Sequence, residues 1–344
     1  LFKKYGADAV RVSILMIAPQ GLDILFSEER LEQGRNFMNK IWNSSRFILM
    51  NLEDGLPLAL GEIDTKNLDT TDLWILSRLN RTIIIVNKAY DKYKMNEAIR
   101  RVYDFIWGDF CDWYIEFAKT RFYGEDTDDR TKAQTVAVHV MREILKLLHP
   151  YCPFITEELW THYKRDDESL LISTDWPKGD KNMIQDNIEN EIQVLMDIIT
   201  AIRNIRASLN VPPGKEANLT IRGDAKTCKA LSKHKGYLQR LAKLEKIKMG
   251  EKEKKPHKSA TAVIKGLELF VPLAGLIDIN KEIERLEKQI QDKKGRLSAV
   301  DRKLENKNFV ERAPENVINH EREKQQNYKT DLKKLEKNLE SLQI

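Results

Sequence analysis

The sequence predicts a mainly α-helical protein with an antiparallel helical bundle, a small α/β module and a carboxy-terminal antiparallel coiled-coil hairpin. Of its 344 residues, 41% are hydrophobic and 32% are charged, a balance that fits long exposed helices better than one compact core. Only 10 prolines and 15 glycines are present, which are too few turn residues for an all-β protein. Hydrophobic side chains also recur at helical spacing over most of the chain.

Residues 1–65 contain two predicted helices. Asp8 is an amino-terminal cap or first-turn acid for the first helix, which covers residues 5–18. The second helix follows a cap at Ser27 and runs to about Leu52. A connector with two glycines and a proline comes after it.

Residues 66–180 have the pattern of an antiparallel bundle. Three helical segments are predicted between residues 71 and 149, with a turn at 93–96 in which Asn96 caps the second segment. The hydrophobic spacing of the second segment is less regular than that of the first. Two prolines mark a further turn after the third segment, and a short helix follows it.

Residues 181–275 predict a linker helix and then a small α/β module. The expected elements are a helix over 186–209, a strand over 217–221, helical structure over 224–245 and one or two strands over 259–272. Residues 214–275 carry 15 basic and 6 acidic side chains, whereas the net charge of the whole chain is only +5. This local excess suits a polyanionic partner such as nucleic acid. A solvated lysine-rich surface would have the same composition.

Residues 276–344 predict the hairpin. Hydrophobic residues keep heptad spacing from Ile279 to Leu304, with Lys293 as a polar residue in the seam. The heptads break at 306–313 and then resume, which indicates two helices of similar length that fold back on each other. At 1.5 Å per residue, an arm of about 28 residues reaches roughly 42 Å.

Catalytic and metal-binding motifs are absent, so we predict no catalytic residue and no metal site. The sequence has no HExxH, P-loop, GxGxxG or GxSxG pattern. His139 and His149 lie on one predicted helix, where histidines satisfied by backbone or water are the usual case. Cys111 and Cys152 sit among aromatic residues and are interpreted as small buried hydrophobes.

The aromatic and acidic residues of the second bundle segment also have a structural interpretation. Its aromatic residues are expected to be core. Its acids, Asp109, Asp112 and Glu116, are expected to form a solvated face or ion pairs with nearby Arg or Lys.

The cysteines and the hydropathy bear on the compartment. Three widely separated cysteines form no disulfide framework, so a reducing compartment is expected. No stretch approaches 18 hydrophobic residues, so no membrane partner is expected. We therefore expect a cytoplasmic protein and, from the hairpin, a monomer. The chain begins at Leu1 without an initiator methionine, which suggests a piece of a longer protein.

Seven stretches of the chain carry a family resemblance, and they cover nearly its whole length. They are KYGADAVR (4–11), GRNFMNKIWNSSRFILMN (34–51), DLWILSRLN (72–80), FCDWYIEFAK (110–119), LHPYCPFITEELW (148–160), IRNIRASLNVPP (202–213) and VPLAGLIDINKEIERLEKQI (271–290). These stretches resemble the carboxy-terminal part of the valyl-tRNA synthetases, which are class I aminoacyl-tRNA synthetases. The bundle motifs are shared with isoleucyl and leucyl relatives, whereas the final module with its hairpin is similar to the valyl members.

The resemblance implies a role for each segment. It implies a stem-contact helical region at 1–65 and a class I anticodon-binding bundle at 66–180. It implies a linker helix and small basic module at 181–275 and a coiled-coil tRNA-binding arm at 276–344. The partner implied is tRNA(Val), which this part would position by its anticodon, stem and elbow.

The resemblance also implies what this chain does not do alone. The HIGH and KMSKS signatures, the amino-acid pocket and the editing domain of the family are not found in it. Attachment of valine to tRNA with ATP would therefore need the missing catalytic domain. We expect no activity and no cofactor in this part by itself.

Candidate tRNA-binding residues follow from the same resemblance. For the anticodon they are Arg78, Arg81, Lys94 and Met95. If the first bundle helix leads away from residues 1–65, the turn that holds Lys94 and Met95 lies at the distal end of the bundle. For the stem and elbow the candidates are Arg203, Arg206, Lys293, Lys294, Arg296, Arg302, Lys303, Lys307 and Arg312.

Two other functions fit the same features. The hairpin could belong to a coiled-coil protein-interaction or structural module, although the interrupted heptads favour an intramolecular hairpin. The same tRNA-binding role in an isoleucyl-type relative is the other alternative.

Overall fold

The computed structural model of the chain describes residues 1–17, 27–52, 55–306, 309, 311 and 313–343, with the side chains of 66, 337, 338 and 341–343 left aside. The chain divides into two compact units, Leu1–Gln193 and Val194–Ile344. The finer division into four segments stays a prediction.

The first unit is a helical bundle, as predicted. Its helices are α1 (Phe2–Tyr5), α2 (Ala7–Ile17), α3 (Glu28–Met50), α4 (Thr70–Tyr90), α5 (Met95–Asp104), α6 (Ile115–Phe122), α7 (Thr127–Leu148) and α8 (Pro153–Tyr163), and α9 (Asp186–Ser208) follows them. The core contains large side chains that are almost completely buried, among them Trp74, Phe105, Phe110, Tyr114 and Trp160. The expected aromatic core of the second bundle segment is thus confirmed for Phe110 and Tyr114.

A π-helical stretch, Phe105–Tyr114, joins α5 to α6. In such a stretch the hydrogen bonds span five residues instead of four. Phe105 and Phe110 are therefore both buried although they are five residues apart, and the same holds for Ile106 and Cys111. This spacing departs from the 3.6-residue repeat, which explains the less regular hydrophobic pattern of this segment.

The starts of α3 and α5 differ from the prediction. The cap at Asn96 is wrong, because α5 begins at Met95 and Lys94 precedes it without a side-chain cap. Ser27 does precede α3, but its hydroxyl makes no capping hydrogen bond. Tertiary packing therefore fixes the start of both helices more than side-chain capping does.

Asp8 lies in the first turn of α2, as predicted, but its carboxylate caps another helix. It accepts hydrogen bonds from the backbone N–H groups of Phe154 and Ile155, at 3.4 and 2.7 Å. These groups belong to the first turn of α8, where N–H groups have no partner within the helix. Asp8 therefore connects two helices that are far apart in the sequence.

The second unit contains one four-stranded sheet, which confirms the α/β module. Its strands are β1 (Ala217–Arg222), β2 (Leu244–Gly250), β3 (Ser259–Ile264) and β4 (Leu267–Pro272), in the order β2-β1-β4-β3. β1 and β2 are parallel, and the other pairs are antiparallel. Two short helices, α10 (Ala225–Ser232) and α11 (Lys235–Ala242), connect β1 to β2.

The prediction of helical structure over 224–245 is wrong at its end, where β2 begins. Ala217 pairs with Leu244, but Leu219 pairs with Ile247. Between these two pairs, Glu245 and Lys246 of β2 oppose Asn218 of β1, so β2 holds one extra residue, which is a β-bulge. The buried Leu244 and Ile247 are consequently three residues apart, a helical spacing that hides the strand in the sequence.

A helical hairpin follows the sheet, as predicted, and we call it the arm. It consists of α12 (Ile279–Glu305) and α13 (Glu315–Gln343). Lys293 pairs with Asp331 and Lys303 pairs with Glu321, so the partner number falls as the first number rises. The two helices are therefore antiparallel. A coiled-coil supercoil of the arm stays a prediction.

Candidate nucleic-acid interface

Arg78 and Arg81 of α4 lie in an ionic cluster of the first unit. Arg78 Nε donates to Asp109 at 2.8 Å, and its Nη1 donates to Glu189 at 3.1 Å. Arg81 Nε donates to Glu189 at 3.1 Å, and its Nη2 pairs with Asp186. Burial alone would raise the pKa of Glu189, but hydrogen bonds to its carboxylate, two of them from these arginines, hold that pKa below its usual value. Both guanidinium groups are thus engaged within the protein.

The acids of the second bundle segment form ion pairs, which is one of the two outcomes expected from the sequence. Asp109 pairs with an arginine of α4, as described above. Asp112 pairs with Lys40 at 2.7 Å, and Glu116 pairs with Lys119 at 2.5 Å. These carboxylates therefore connect helices or cover helix surfaces and do not form an acid–base pair.

The turn between α4 and α5 exposes Lys94 and Met95. Tyr93 adopts a left-handed φ of 57° and is 78% exposed, and Met95 is 44% exposed. Lys94 Nζ pairs with Glu97 at 2.6 Å, a weak restraint because both side chains are about half exposed. The turn offers an aromatic and a thioether side chain with one cation beside them. Such a surface suits an unstacked base and its phosphate.

This turn does not lie at the end of the bundle away from α2, which corrects our expectation. Tyr151 Oη donates to Met95 O at 3.4 Å, and Arg11 Nε of α2 donates to Tyr151 O at 3.0 Å. Arg100 Nε of α5 also donates to Met16 O of α2, at 3.0 Å. α4 therefore runs towards α2, and the turn after α4 lies beside α2.

Arg203 and Arg206 of α9 bind backbone carbonyls. Arg203 Nε donates to Leu241 O at 3.0 Å. Arg206 is 9% exposed, and it donates to Lys215 O at 2.7 Å and to Lys243 O at 3.4 Å. Burial lowers the pKa of Arg206. Its guanidinium ties the end of α9 to the segments that flank the start of the sheet, which leaves little of it for a phosphate.

Lys293 lies in the seam of the arm, where it has partners on the facing helix. Its Nζ pairs with Asp331 at 2.6 Å and lies 5.0 Å from the centroid of the Tyr328 ring. The ion pair and the cation–π contact explain how a lysine is accommodated between two hydrophobic stripes.

The other described arm candidates are more exposed, and each has a partner on the arm. These contacts are Lys294–Glu336 at 3.0 Å, Arg296–Asp292 at 3.0 Å, Lys303–Glu321 at 3.7 Å and Arg302 Nε to Ser298 O at 3.3 Å. Lys307 and Arg312 lie outside the described residues. Exposed pairs of this kind are weak, so the cations can exchange a carboxylate for a phosphate.

The candidate residues taken from the sequence leave out the lysines of the α/β module. Lys226 and Lys229 of α10 and Lys233 just after it are all exposed. Their spacing of three and four residues puts them on one side of the helix, and this spacing was the signal that could have identified them. The basic residues of the module that do form ion pairs are Arg222, Lys246 and Lys265.

The described residues contain no group of three or more His, Cys, Asp or Glu side chains arranged to hold a metal ion. None of their helices has the length and hydrophobicity needed to cross a bilayer. Cys111 and Cys152 are buried, as expected, and burial raises the pKa of the Cys111 thiol to about 11. Thiolate chemistry is therefore disfavoured at Cys111.

Two protein-family profiles match the chain. Residues 72–221 match the anticodon-binding domain of tRNA ligases, and residues 278–343 match the valyl-tRNA synthetase tRNA-binding arm. The first match covers most of the bundle and reaches β1. The second begins one residue before α12 and covers both helices of the arm.

Curated relatives named valine–tRNA ligase match almost the whole chain. The protein of Listeria innocua is 41% identical over 94% of this chain, and that of Bacillus cereus is 40% identical over 95%. The protein of Clostridium acetobutylicum is 39% identical over 98% of this chain. The chain spans only 37–38% of the length of these relatives.

A solved LeuRS–tRNA–LeuAMS complex from Agrobacterium radiobacter K84 matches 54% of this chain and 21% of its own, at 20% identity and a TM-score of 0.41. The two family profiles and the relatives agree with each other. The chain is therefore similar to the anticodon-binding domain of tRNA ligases over 72–221, to the valyl-tRNA synthetase tRNA-binding arm over 278–343, and to part of the valine–tRNA ligases over almost its whole length.

Proposed function

We propose that this chain binds tRNA and that its preferred tRNA is the one that accepts valine. One observation carries the proposal. An anticodon-binding domain and a tRNA-binding arm occur together in a chain that is about 40% identical to valine–tRNA ligases over about 95% of its length.

The described geometry supports a division of work between the two domains. Unpaired bases are read by side chains that stack on them or bond to their edges, and the exposed turn with Lys94 and Met95 is suited to that. Phosphate contacts give affinity and register without sequence information. The basic residues of the arm are suited to phosphates, and its first helix of 27 residues spans about 40 Å.

Filter binding with two RNA transcripts tests the proposal. One is valine tRNA, and the other is the same tRNA with an exchanged anticodon. We expect tighter binding of the first, and we expect the K94A/M95A variant to lose part of that discrimination. The M50A variant, which truncates another exposed methionine of the bundle, should leave discrimination unchanged. Equal or absent binding of both RNAs by the unaltered chain would refute the proposal.

Deletion of residues 278–344 tests the role of the arm. The shortened chain should bind both transcripts more weakly and should keep its preference for valine tRNA. If affinity is unchanged, the arm is a protein-binding or purely structural element instead.

We propose that the corresponding part of the longer relatives positions tRNA for the ligase reaction that their name describes. ATP and valine would then be used by the part of their length that this chain does not span. Valine-dependent pyrophosphate exchange measures this directly. We expect none from the chain alone, and exchange that scales with its concentration would contradict this expectation.

We also propose a cytoplasmic monomer. The arm packs its own two helices against each other, so its hydrophobic seam is occupied within one chain. Sedimentation over a range of concentrations should give one mass, and a mass that rises with concentration would contradict the monomer. Fractionation of cells with an antibody to the chain tests the compartment.

A further inference from the structure

The charged residues of the second unit fall into two groups. On the arm, Lys293, Lys294, Arg296 and Lys303 each form an ion pair with an acid of the arm. A phosphate that binds one of these cations competes with a carboxylate, and the displaced carboxylate then repels the RNA. At these four positions the arm therefore binds a polyanion less effectively than its composition suggests.

The α/β module has the opposite arrangement along α10. Lys226, Lys229 and Lys233 are exposed, whereas Cys228 and Leu231 face the core. Among the residues that the structure describes, none of these three lysines is in an ion pair. Their ammonium groups are solvated and need to displace only water and counterions to bind a phosphate.

A groove of about 800 Å³ continues this surface from α10 to β2 and the loop after it. Ala225 of α10 lines the groove, and Lys229 is one helical turn further on, on the same side of α10. Lys248 of β2 and Lys252 and Lys254 of the loop line it from the other side. All of these lysines are exposed, and none of the three is in an ion pair within the described part of the chain.

Two acids, Glu251 and Glu253, also line the groove. The Glu251 carboxylate accepts a hydrogen bond from the Ala225 N–H at 3.1 Å, at the start of α10. The negative charge of Glu251 therefore interacts in part with the positive end of the α10 dipole. With Asp224, the exposed residue that caps α10, the surface holds six lysines and three acids, so the lysines are twice as many.

We propose that these six residues, which we call the lysine face, bind the phosphate backbone of RNA and contribute more to the electrostatic affinity for tRNA than the four paired cations of the arm do. The lysine face comprises Lys226, Lys229, Lys233, Lys248, Lys252 and Lys254. The proposal rests on the proposed tRNA binding and adds a third contact surface to it. Lysine ammonium groups contact phosphates as point charges without reading bases, so the lysine face recognises backbone and not sequence.

Matched charge neutralisation in the full-length chain tests this assignment. One variant is K226Q/K229Q/K233Q on the lysine face, and the other is K294Q/R296Q/K303Q on the arm. Each removes three positive charges from exposed positions. Binding of a valine tRNA transcript is titrated at several salt concentrations between about 50 and 200 mM.

Each lost phosphate contact should reduce the slope of log affinity against log salt by about 0.7 to 0.9. We expect the lysine-face variant to lose about two units of slope and at least about tenfold in affinity at low salt. The arm variant should lose less than one unit. Both variants should keep the preference for the valine anticodon.

A second lysine-face variant, K252Q/K254Q, guards against misfolding, because both residues lie in a loop that contributes no core side chain. It should lose about 1.5 units of slope. If the unaltered chain binds tRNA and the lysine-face variants keep its slope, the lysine face binds no RNA and the inference fails alone. A slope loss of the arm variant that equals or exceeds that of K226Q/K229Q/K233Q also overturns it. If the unaltered chain binds no tRNA, the proposed function itself fails.

Discussion

Arg121 donates a hydrogen bond from Nη1 to the Asp72 carboxylate at 2.6 Å, in a place where Asp72 is completely buried and Arg121 is only 6% exposed. Tyr114 Oη donates to the other oxygen of Asp72 at 2.8 Å, and Arg121 Nε also binds Asp129 at 2.9 Å. The start of α4, the end of α6 and the start of α7 are therefore joined by one charged network at one end of the bundle.

Removing one partner of this buried pair should strongly destabilise the bundle. R121M leaves the Asp72 carboxylate buried without its cation, and we expect a loss of about 3–5 kcal/mol of unfolding free energy. Urea unfolding followed by circular dichroism measures it. K132M, which breaks an exposed pair with Asp128 on α7, is the control and should shift the unfolding midpoint far less. Equal shifts would show that the buried network is not a stabilising element.

His139 should make the bundle less stable in acid. Burial lowers its pKa below the ordinary 6.5, although Glu143 opposes the shift. The unfolded chain therefore binds the proton more readily, and stability is lost as the pH falls through 6.5. Unfolding free energies at about pH 7.5 and 5.5 should differ less in H139Q than in the unaltered chain. H162Q, at an exposed position of α8, should keep the original pH dependence.

Gly34 marks a close approach of α3 to α2, which a larger residue should disrupt. A Cβ atom there would lie 2.5 Å from Ala9 O and would also collide with Ser13 Oγ. Backbone oxygens cannot move away as flexible side chains do, so we expect G34A to cost about 1–3 kcal/mol. G108A has no atom within 4 Å of its new methyl group and should cost much less. Thermal unfolding of both variants tests this prediction. A G34A variant as stable as the unaltered chain would mean that α2 and α3 can move apart at no cost in stability.

The arm should exchange its amide hydrogens faster than the bundle. α12 has four buried residues over 27 positions, whereas α4 has eleven over 21. Local opening of the arm therefore exposes little hydrophobic surface. Hydrogen exchange should show weaker protection for 281–304 than for 76–117. Equal protection of the two segments would contradict the easier opening of the arm.

The pair of Lys293 and Asp331 should be coupled weakly but measurably. A double-mutant cycle with K293A and D331A should give a coupling of about 0.2–1 kcal/mol, because the pair is partly exposed. The coupling should shrink at high salt. A coupling of zero at low salt would leave the Tyr328 ring as the more important partner of Lys293 in the seam.

The sequence was most informative where hydrophobic spacing is regular and local. α4, α7 and both arm helices follow the repeat of an exposed helix with one buried side, and they were predicted close to their observed bounds. Prediction failed where pairing with a distant segment changes the spacing. The bulge opposite Ala217 and Leu219 gave β2 a helical pattern, and the π-helical stretch blurred the pattern around Phe105.

The candidate site divides in a similar way. Residue type and position on a helix predicted which residues carry charge, but not which of these charges remain available. Arg78 and Arg206 are of a residue type that often contacts nucleic acid. In the structure, however, carboxylates bind Arg78 and backbone carbonyls bind Arg206. The nearest of these partners lies 31 positions from Arg78 and 6 positions from Arg206, beyond one helical turn, so no helix-periodic pattern reveals them.

By itself the sequence determined the helical class, the arm, the basic module and, through its resemblance, the proteins to which the chain is similar. These depend on residue order along one element and on composition, which local physics translates directly into helices and charge. The tertiary structure alone decided that Asp8 caps α8, that the exposed turn lies beside α2 and that the lysines of α10 form no ion pair with any residue the structure describes. Each of these depends on which segments meet in space, and that is settled by packing of the whole chain.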